Sequence, residues 1–202
     1  MSKNEDLHGN APDKSKVVLL IIDMISDFDF EDGEKLYANT KPAAERVAEL
    51  KKKAKKTGVP VVYVNDNFGK WQSDFKKLLT HCADENSRGS SIARLLAPDD
   101  DDYFVLKPKH SGFFSTTLDV LLEYLGAETL ILTGVATDIC ILFTANDAYM
   151  RDFSLIVPRD CVAANENEQN ESTLKFLEKN LKADTRSSTE INFEKLKASA
   201  GN

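Results

Sequence analysis

The 202-residue chain is poor in the side chains that staple or metallate small proteins. It has three cysteines, Cys82, Cys140 and Cys161, and three histidines. An odd cysteine count with no CxxC pair speaks against a disulfide framework or a zinc site and fits a reducing compartment. No histidine is well placed for a Cys-His pair: His8 lies in a polar leader, His81 in an irregular stretch, and His110 in a loop. Positive charge is also in deficit. With 26 basic against 33 acidic residues the net charge is -7, and no basic cluster with interleaved aromatics is present, so a nucleic-acid surface is not expected. The longest early apolar run, Val17 to Ile22, is far short of the roughly 20 residues that span a bilayer. The leader MSKNEDLHGNAPDKSK lacks the apolar core of a signal peptide. There is no GxGxxG and no P-loop lysine motif, so a nucleotide-binding reading lacks its fingerprint. These absences leave a cytoplasmic protein that acts on or binds a small molecule.

What is present is an alternation of short apolar runs and amphipathic stretches. VVLLII at Val17 to Ile22 is apolar throughout, as in a central parallel strand covered on both faces, and it ends at Asp23. Further strands are expected at Val61 to Val64, Tyr103 to Leu106, Leu130 to Leu132 and Phe153 to Val157, with a weak one near Ala183 to Arg186. Helices are expected from Thr40 to Lys56, around Asp74 to Thr80, from Ser90 to Leu96, after a Ser115 or Thr116 cap, from Ile139 to Met150, from Asn167 to Leu181, and briefly at Phe193 to Leu196. The basic run Lys51 to Lys56 reads as a solvated last helical turn. Asp99 to Asp102 reads as a surface turn, since it lacks the alternating ligands and glycine of a calcium loop. Residues 1–15 are expected to be a disordered tail and 16–202 a single domain. Strands alternating with helices imply an α/β fold with a parallel sheet, right-handed crossovers and helices on both faces, a three-layer α/β/α arrangement.

Three chemistry-bearing residues each follow directly on a strand: Asp23, Lys107 and Cys140. They are therefore expected at one edge of the sheet, where open α/β sheets place ligands. Thr137 is positioned to cap the helix carrying Cys140, and a helix N-terminus favours the thiolate. Asp23 is suited to take the thiol proton, Lys107 to stabilise the thiolate and keep Asp23 ionised, and the preceding turn to offer amides to an oxyanion. Taken singly, each has a plainer reading: a buried cysteine, a turn carboxylate.

The segments LLIIDM, VLKPKHSGF and LILTGVATDIC, in that order between about residues 16 and 165, resemble the isochorismatase-like cysteine hydrolases, which include nicotinamidases, N-carbamoyl amidohydrolases and isochorismatase. The resemblance implies a six-stranded parallel sheet and a triad of Cys140 as nucleophile, Asp23 as general base and Lys107 as the charge-stabilising member. It implies a cis peptide between Val135 and Ala136, an oxyanion site on the amides of Ala136 and Cys140, and a homo-oligomer, dimer or tetramer. It departs from nicotinamidases, whose Asp-x-His motif holds a metal: Asp66 fits the aspartate, but Phe68 stands at the next ligand position. No metal and no other cofactor is therefore expected. Isochorismatases favour an aromatic residue where this chain has His110. The expectation is a cysteine hydrolase cleaving a small C–N bond in an amide, ureide or carbamoyl compound through a thioester. The rivals are a vinyl-ether hydrolase and a non-catalytic or redox-sensing relative. Candidate pocket residues are Phe28, Asp66, Asn67, Trp71, His110 and Phe113. The helix from Ile139, apolar nearly all round at its start, is expected to be deeply buried or in a subunit contact.

Overall fold

The computed structural model describes residues 13–68 and 74–199. Its centre is a parallel sheet of six strands: Val17–Ile22 (β1), Val61–Asp66 (β2), Tyr103–Lys107 (β3), Thr129–Val135 (β4), Ser154–Ile156 (β5) and Val162–Ala163 (β6). The order is β3-β2-β1-β4-β5, with β6 paired to the end of β4. Every residue of β1 is buried, as its unbroken apolar sequence requires. Alternation then divides it. Val17, Leu19 and Ile21 enter one core with the helix Gly33–Lys56 (α1). Val18, Leu20 and Ile22 enter a second core with Leu118–Leu125 (α4), Leu142–Tyr149 (α5) and Asn167–Leu181 (α6). The short helices Phe75–Cys82 (α2) and Ser90–Leu95 (α3) and the last helix, Phe193–Ser199 (α7), pack on the α1 side. Each fully buried Leu, Ile or Val contributes about 1.5 to 3 kcal/mol, so β1 anchors both layers. Among the described residues no helix is long and apolar enough to cross a membrane.

Several elements differ from the sequence expectations. α1 begins at Gly33, not at Thr40, and carries Pro42 inside it. Thr40 is no cap: its hydroxyl donates to the Leu36 carbonyl at 2.6 Å within a running helix. Burial of Leu36, in the added turns, outweighs the hydrogen bond that proline forfeits. The lysine run and the four aspartates are not solvated separately. Lys51 Nζ lies 2.7 Å from Asp102 Oδ2 and 3.2 Å from Asp99 Oδ2, Lys55 Nζ lies 2.8 Å from Asp102 Oδ1, and the Asp102 side chain is fully buried. The segment near Ala183 forms only an isolated bridge, Ile156 to Asp184, and the sixth strand is β6, too short to show a pattern. Neither Ser115 nor Thr116 is the cap of α4: Thr117 holds that position without a side-chain cap bond, and Thr116, just before it, accepts a hydrogen bond from the Leu118 amide at 3.1 Å. On the segment from Ile139, Ile141, Ala145 and Ala148 are buried while Ile139, Phe143 and Met150 are exposed, so of the two expectations for it deep burial does not hold.

Strand order reverses at β1, whose neighbours are β2 on one side and β4 on the other. At that crevice Gly134 has φ +118, and a Cβ there would meet the Ile22 carbonyl oxygen at 1.9 Å. Only glycine lets β4 pass so close to β1 with that backbone. Gly134→Ala is expected to lower stability by about 2 to 5 kcal/mol, from the strained φ and the backbone collision together. The urea midpoint of the two proteins checks this.

Candidate active site

The ends of β1, β2 and β3 and the turn after β4 meet in the crevice. Asp23 follows β1 in a left-handed conformation, φ 52, with its amide donating to the Val64 carbonyl at 2.9 Å. Its carboxylate is held on both oxygens. Oδ1 accepts from the Asp66 amide at 2.7 Å, and Oδ2 lies 2.8 Å from Lys107 Nζ. Lys107, the last residue of β3, is fully buried. Its Nζ also lies 3.5 Å from Cys140 Sγ and 3.7 Å from Asp66 Oδ2. An ammonium has three N–H donors, and here three acidic groups face it.

Cys140 is delivered differently from the sequence expectation. Thr137–Ile141 form a π turn rather than the start of an ordinary helix, and the Ile141 amide donates to the Ala136 carbonyl five residues back at 3.1 Å. Thr137 does not cap; its hydroxyl donates to Asn170 Oδ1 on α6 at 2.6 Å. Such wide turns recur where a side chain must be re-aimed. The Val135–Ala136 peptide bond is cis.

Burial dominates the electrostatics. It pushes the Asp23 carboxyl above its ordinary value despite the pull of Lys107. It also pushes the Cys140 thiol above its usual range; the Asp23 charge adds to this, and Lys107 offsets only part. Burial works against the Lys107 ammonium, but Asp23 and Cys140 outweigh it and the net shift is upward. The resting site therefore holds a protonated lysine beside a neutral thiol, not the thiolate expected from the helix terminus alone. Desolvation of the sulfur exceeds what one turn of peptide dipoles supplies.

Beside these groups opens a cavity of about 350 Å³, lined by Asp23, Asp66, Ala136 and Cys140 and walled by apolar side chains. Of the candidate pocket residues, Phe28, Asp66 and His110 line it. Asn67 lines an adjoining cavity with Asp27, Lys77 and His81. Phe113 is no pocket residue: it is buried in the second core, its ring 6.2 Å from Phe153 and 4.7 Å from the Arg151 guanidinium. Two residues after Ser111, whose hydroxyl accepts its amide at 3.1 Å, it turns inward to fill space above α4 and α5. Trp71 lies outside the described residues. Sequence reasoning missed Ile25, Leu36, Asn65, Phe68 and Ile139 as wall residues. Leu36 was hidden by the misplaced start of α1; the periodicity Leu36, Thr40, Ala43, Ala44, Val47 was the available signal.

Phe68 offers no ligand atom beside Asp66, and His81 pairs instead with Asp27 at 2.9 Å. Among the described residues, the one acidic cluster with metal-binding spacing is Asp99, Asp101 and Asp102, which already pairs with Lys51 and Lys55.

With this geometry in view, a family model described as the isochorismatase domain matches residues 17–189. The chain belongs to the isochorismatase family. It is 43% identical over 178 residues to the uncharacterized isochorismatase family protein YaaI of Bacillus subtilis, covering 88% of this chain and 97% of that one. It is 28% identical over 175 residues to the ureidoacrylate amidohydrolase RutB of Methylorubrum extorquens, covering 74% of this chain and 71% of that one. Among solved structures it resembles N-carbamoylsarcosine amidase from Thermoplasma acidophilum, with TM-score 0.67, 26% identity, and coverage of 88% and 99%. These relatives make the family one of hydrolases, amidohydrolases among them.

Opposite substitutions are expected to move the Cys140 thiol in opposite directions. Asp23→Asn removes a charge that opposes the thiolate, so the pH profile of Cys140 alkylation shifts to lower pH. Lys107→Met removes the compensating cation, so the profile shifts higher. Iodoacetamide labelling rates across pH, read by peptide mass, check both signs.

Proposed function

We propose that this isochorismatase-family protein is a metal-independent cysteine amidohydrolase acting on a C–N bond of a small amide, ureide or carbamoyl compound. The observation that supports it most is the buried Lys107 ammonium in reach of both Asp23 and Cys140, which line a substrate-sized cavity. Cys140 passes its proton to Asp23 as Sγ bonds to the substrate carbonyl carbon. The raised affinity of Asp23 for a proton makes it a stronger base than an ordinary aspartate. Ala136 and Cys140 line the cavity, and their amides are assigned to the oxyanion that forms. Asp23 then gives the proton to the leaving nitrogen, the C–N bond breaks, and a thioester remains. Water adds to it, Asp23 takes the water proton and returns it to the departing sulfur, and acid and thiol are released. Lys107 stays protonated throughout and balances whichever of Asp23 and Cys140 carries the negative charge.

A second reading is favoured by the raised proton affinity of both Asp23 and the Cys140 thiol: vinyl-ether cleavage, with Asp23 as acid and the sulfur idle. It differs in needing no Sγ–carbon bond.

The deciding measurement is ammonia release from a panel of primary amides, ureides and carbamoyl amines, with vinyl-ether hydrolysis followed separately. The amidohydrolase reading expects Cys140→Ala and Asp23→Asn each to lose about 10²-fold or more in kcat, with a chelator without effect. Undiminished ammonia release by Cys140→Ala would sink it. The acid limb of kcat/KM should lie above 3.8, the ordinary carboxyl value, because Asp23 must be ionised to take the proton and its affinity for that proton is raised.

A further inference from the structure

We infer that the cavity selects uncharged substrates with an apolar body and turns away those bearing a carboxylate, and that Asp66 sets this discrimination. The inference rests on the reading of Cys140 as the reactive atom and goes further, to the substrate class.

The walls come first. Phe28, Phe30, Leu36, Phe68 and Ile139 surround the approach to Cys140. Phe30, Phe68 and Ile139 are also partly open to solvent, at 48%, 41% and 41% exposure, so the apolar lining continues from the buried floor to the mouth. A carboxylate entering there gives up water and meets hydrocarbon, which costs it heavily, whereas an alkyl or aryl group gains.

The charges point the same way. Asp66 presents its carboxylate to the cavity with 39% of its side chain exposed. It is fixed in place, since its Oδ1 accepts from the Phe68 amide at 2.5 Å. Asp23 is the second carboxylate of the lining. The nearest cation, Lys107, is fully buried and committed to Asp23, Cys140 and Asp66 at 2.8, 3.5 and 3.7 Å. Two carboxylates against one ammonium leave a local excess of negative charge, which proton transfer from Cys140 to Asp23 moves but does not change. The remaining ionisable group of the described lining is His110, at the rim with its ring 5.4 Å from Phe143. His81, in the adjoining cavity, is paired with Asp27. Ureido acids and carbamoyl amino acids carry the carboxylate that this arrangement repels. Neutral aryl or alkyl amides fit it.

The test compares two reagents of matched shape, N-phenyliodoacetamide and N-(4-carboxyphenyl)iodoacetamide, on the full chain. In both, the Cys140 thiol proton passes to Asp23, and Sγ forms a bond to the methylene carbon as the C–I bond breaks and iodide departs with its electron pair. Rates of Cys140 labelling are read by peptide mass and divided by those of a small free thiol. The neutral reagent is expected to be favoured by at least about tenfold, and Asp66→Asn to shrink that ratio by about threefold or more. The ratio cancels any general change in thiol reactivity, so a merely structural role for Asp66 leaves it unmoved. Equal or faster labelling by the carboxylated reagent overturns the inference while the Cys140 reading stands. An unchanged ratio in Asp66→Asn overturns the assignment to Asp66. Failure of both reagents to label Cys140 in the native chain even as the pH is raised to favour the thiolate overturns the Cys140 reading and the inference with it.

Discussion

A lysine ammonium with no exposure to water is the constraint on which the rest of the site depends. Removing such an ion from water costs several kcal/mol unless its charge and all three donors are met. Lys107 is met by groups from three other points of the sheet edge: Asp23 after β1, Asp66 at the end of β2, and Cys140 after β4. The parallel register brings them there. Asp66 pairs with Lys107 across β2 and β3, Ile22 pairs with Val64 across β1 and β2, and Ile22 pairs with Gly134 across β1 and β4. A slip of one residue in any pair would turn the charged side chain to the opposite face and leave the ammonium uncompensated. The ion pair therefore rewards one strand alignment and penalises its neighbours.

The same crowding explains the backbone that carries Cys140. β4 approaches β1 so closely at Gly134 that no side chain fits, and the chain then widens into a π turn before α5 begins. A tight approach followed by a wide turn moves Sγ over Lys107 rather than along the outside of the helix. Thr137 and Asn170 tie that turn to α6, so the second layer of helices supports the sulfur's position as well as the sheet.

Much of this was legible in the sequence because the determining signals are local. An apolar run of six residues gives a strand buried on both faces, and a charged residue directly after a strand must lie at the sheet edge. Asp23, Lys107 and Cys140 follow that rule. The features that were not legible are set by contacts distant in sequence. The start of α1 depends on burying Leu36 against the sheet, against the local signals of Thr40 and Pro42. Lys51 and Asp102 look solvated in isolation and become a buried pair only when α1 packs beside the loop before β3. β6 has two residues and no period to read. The thiol was misjudged for the same reason: the helix terminus is visible in sequence, whereas the desolvation that outweighs it is a property of the assembled crevice.

That desolvation bears on how such a site can work at all. With the thiol and Asp23 both raised in proton affinity and Lys107 holding its charge, the resting crevice stores its proton on sulfur and its negative charge on the carboxylate. Attack on a carbonyl moves both at once: the proton passes from sulfur to Asp23, and the negative charge passes from Asp23 through sulfur to the substrate oxygen. Nothing leaves the crevice, so no ion is exposed to the apolar walls during the step. A substrate with a fixed negative charge would add to the excess that Asp23 and Asp66 already hold against Lys107. The apolar Phe68 and the carboxylate of Asp66, side by side in the cavity lining, are consistent with a crevice that handles charge only by passing it among Asp23, Lys107, Cys140 and a neutral guest.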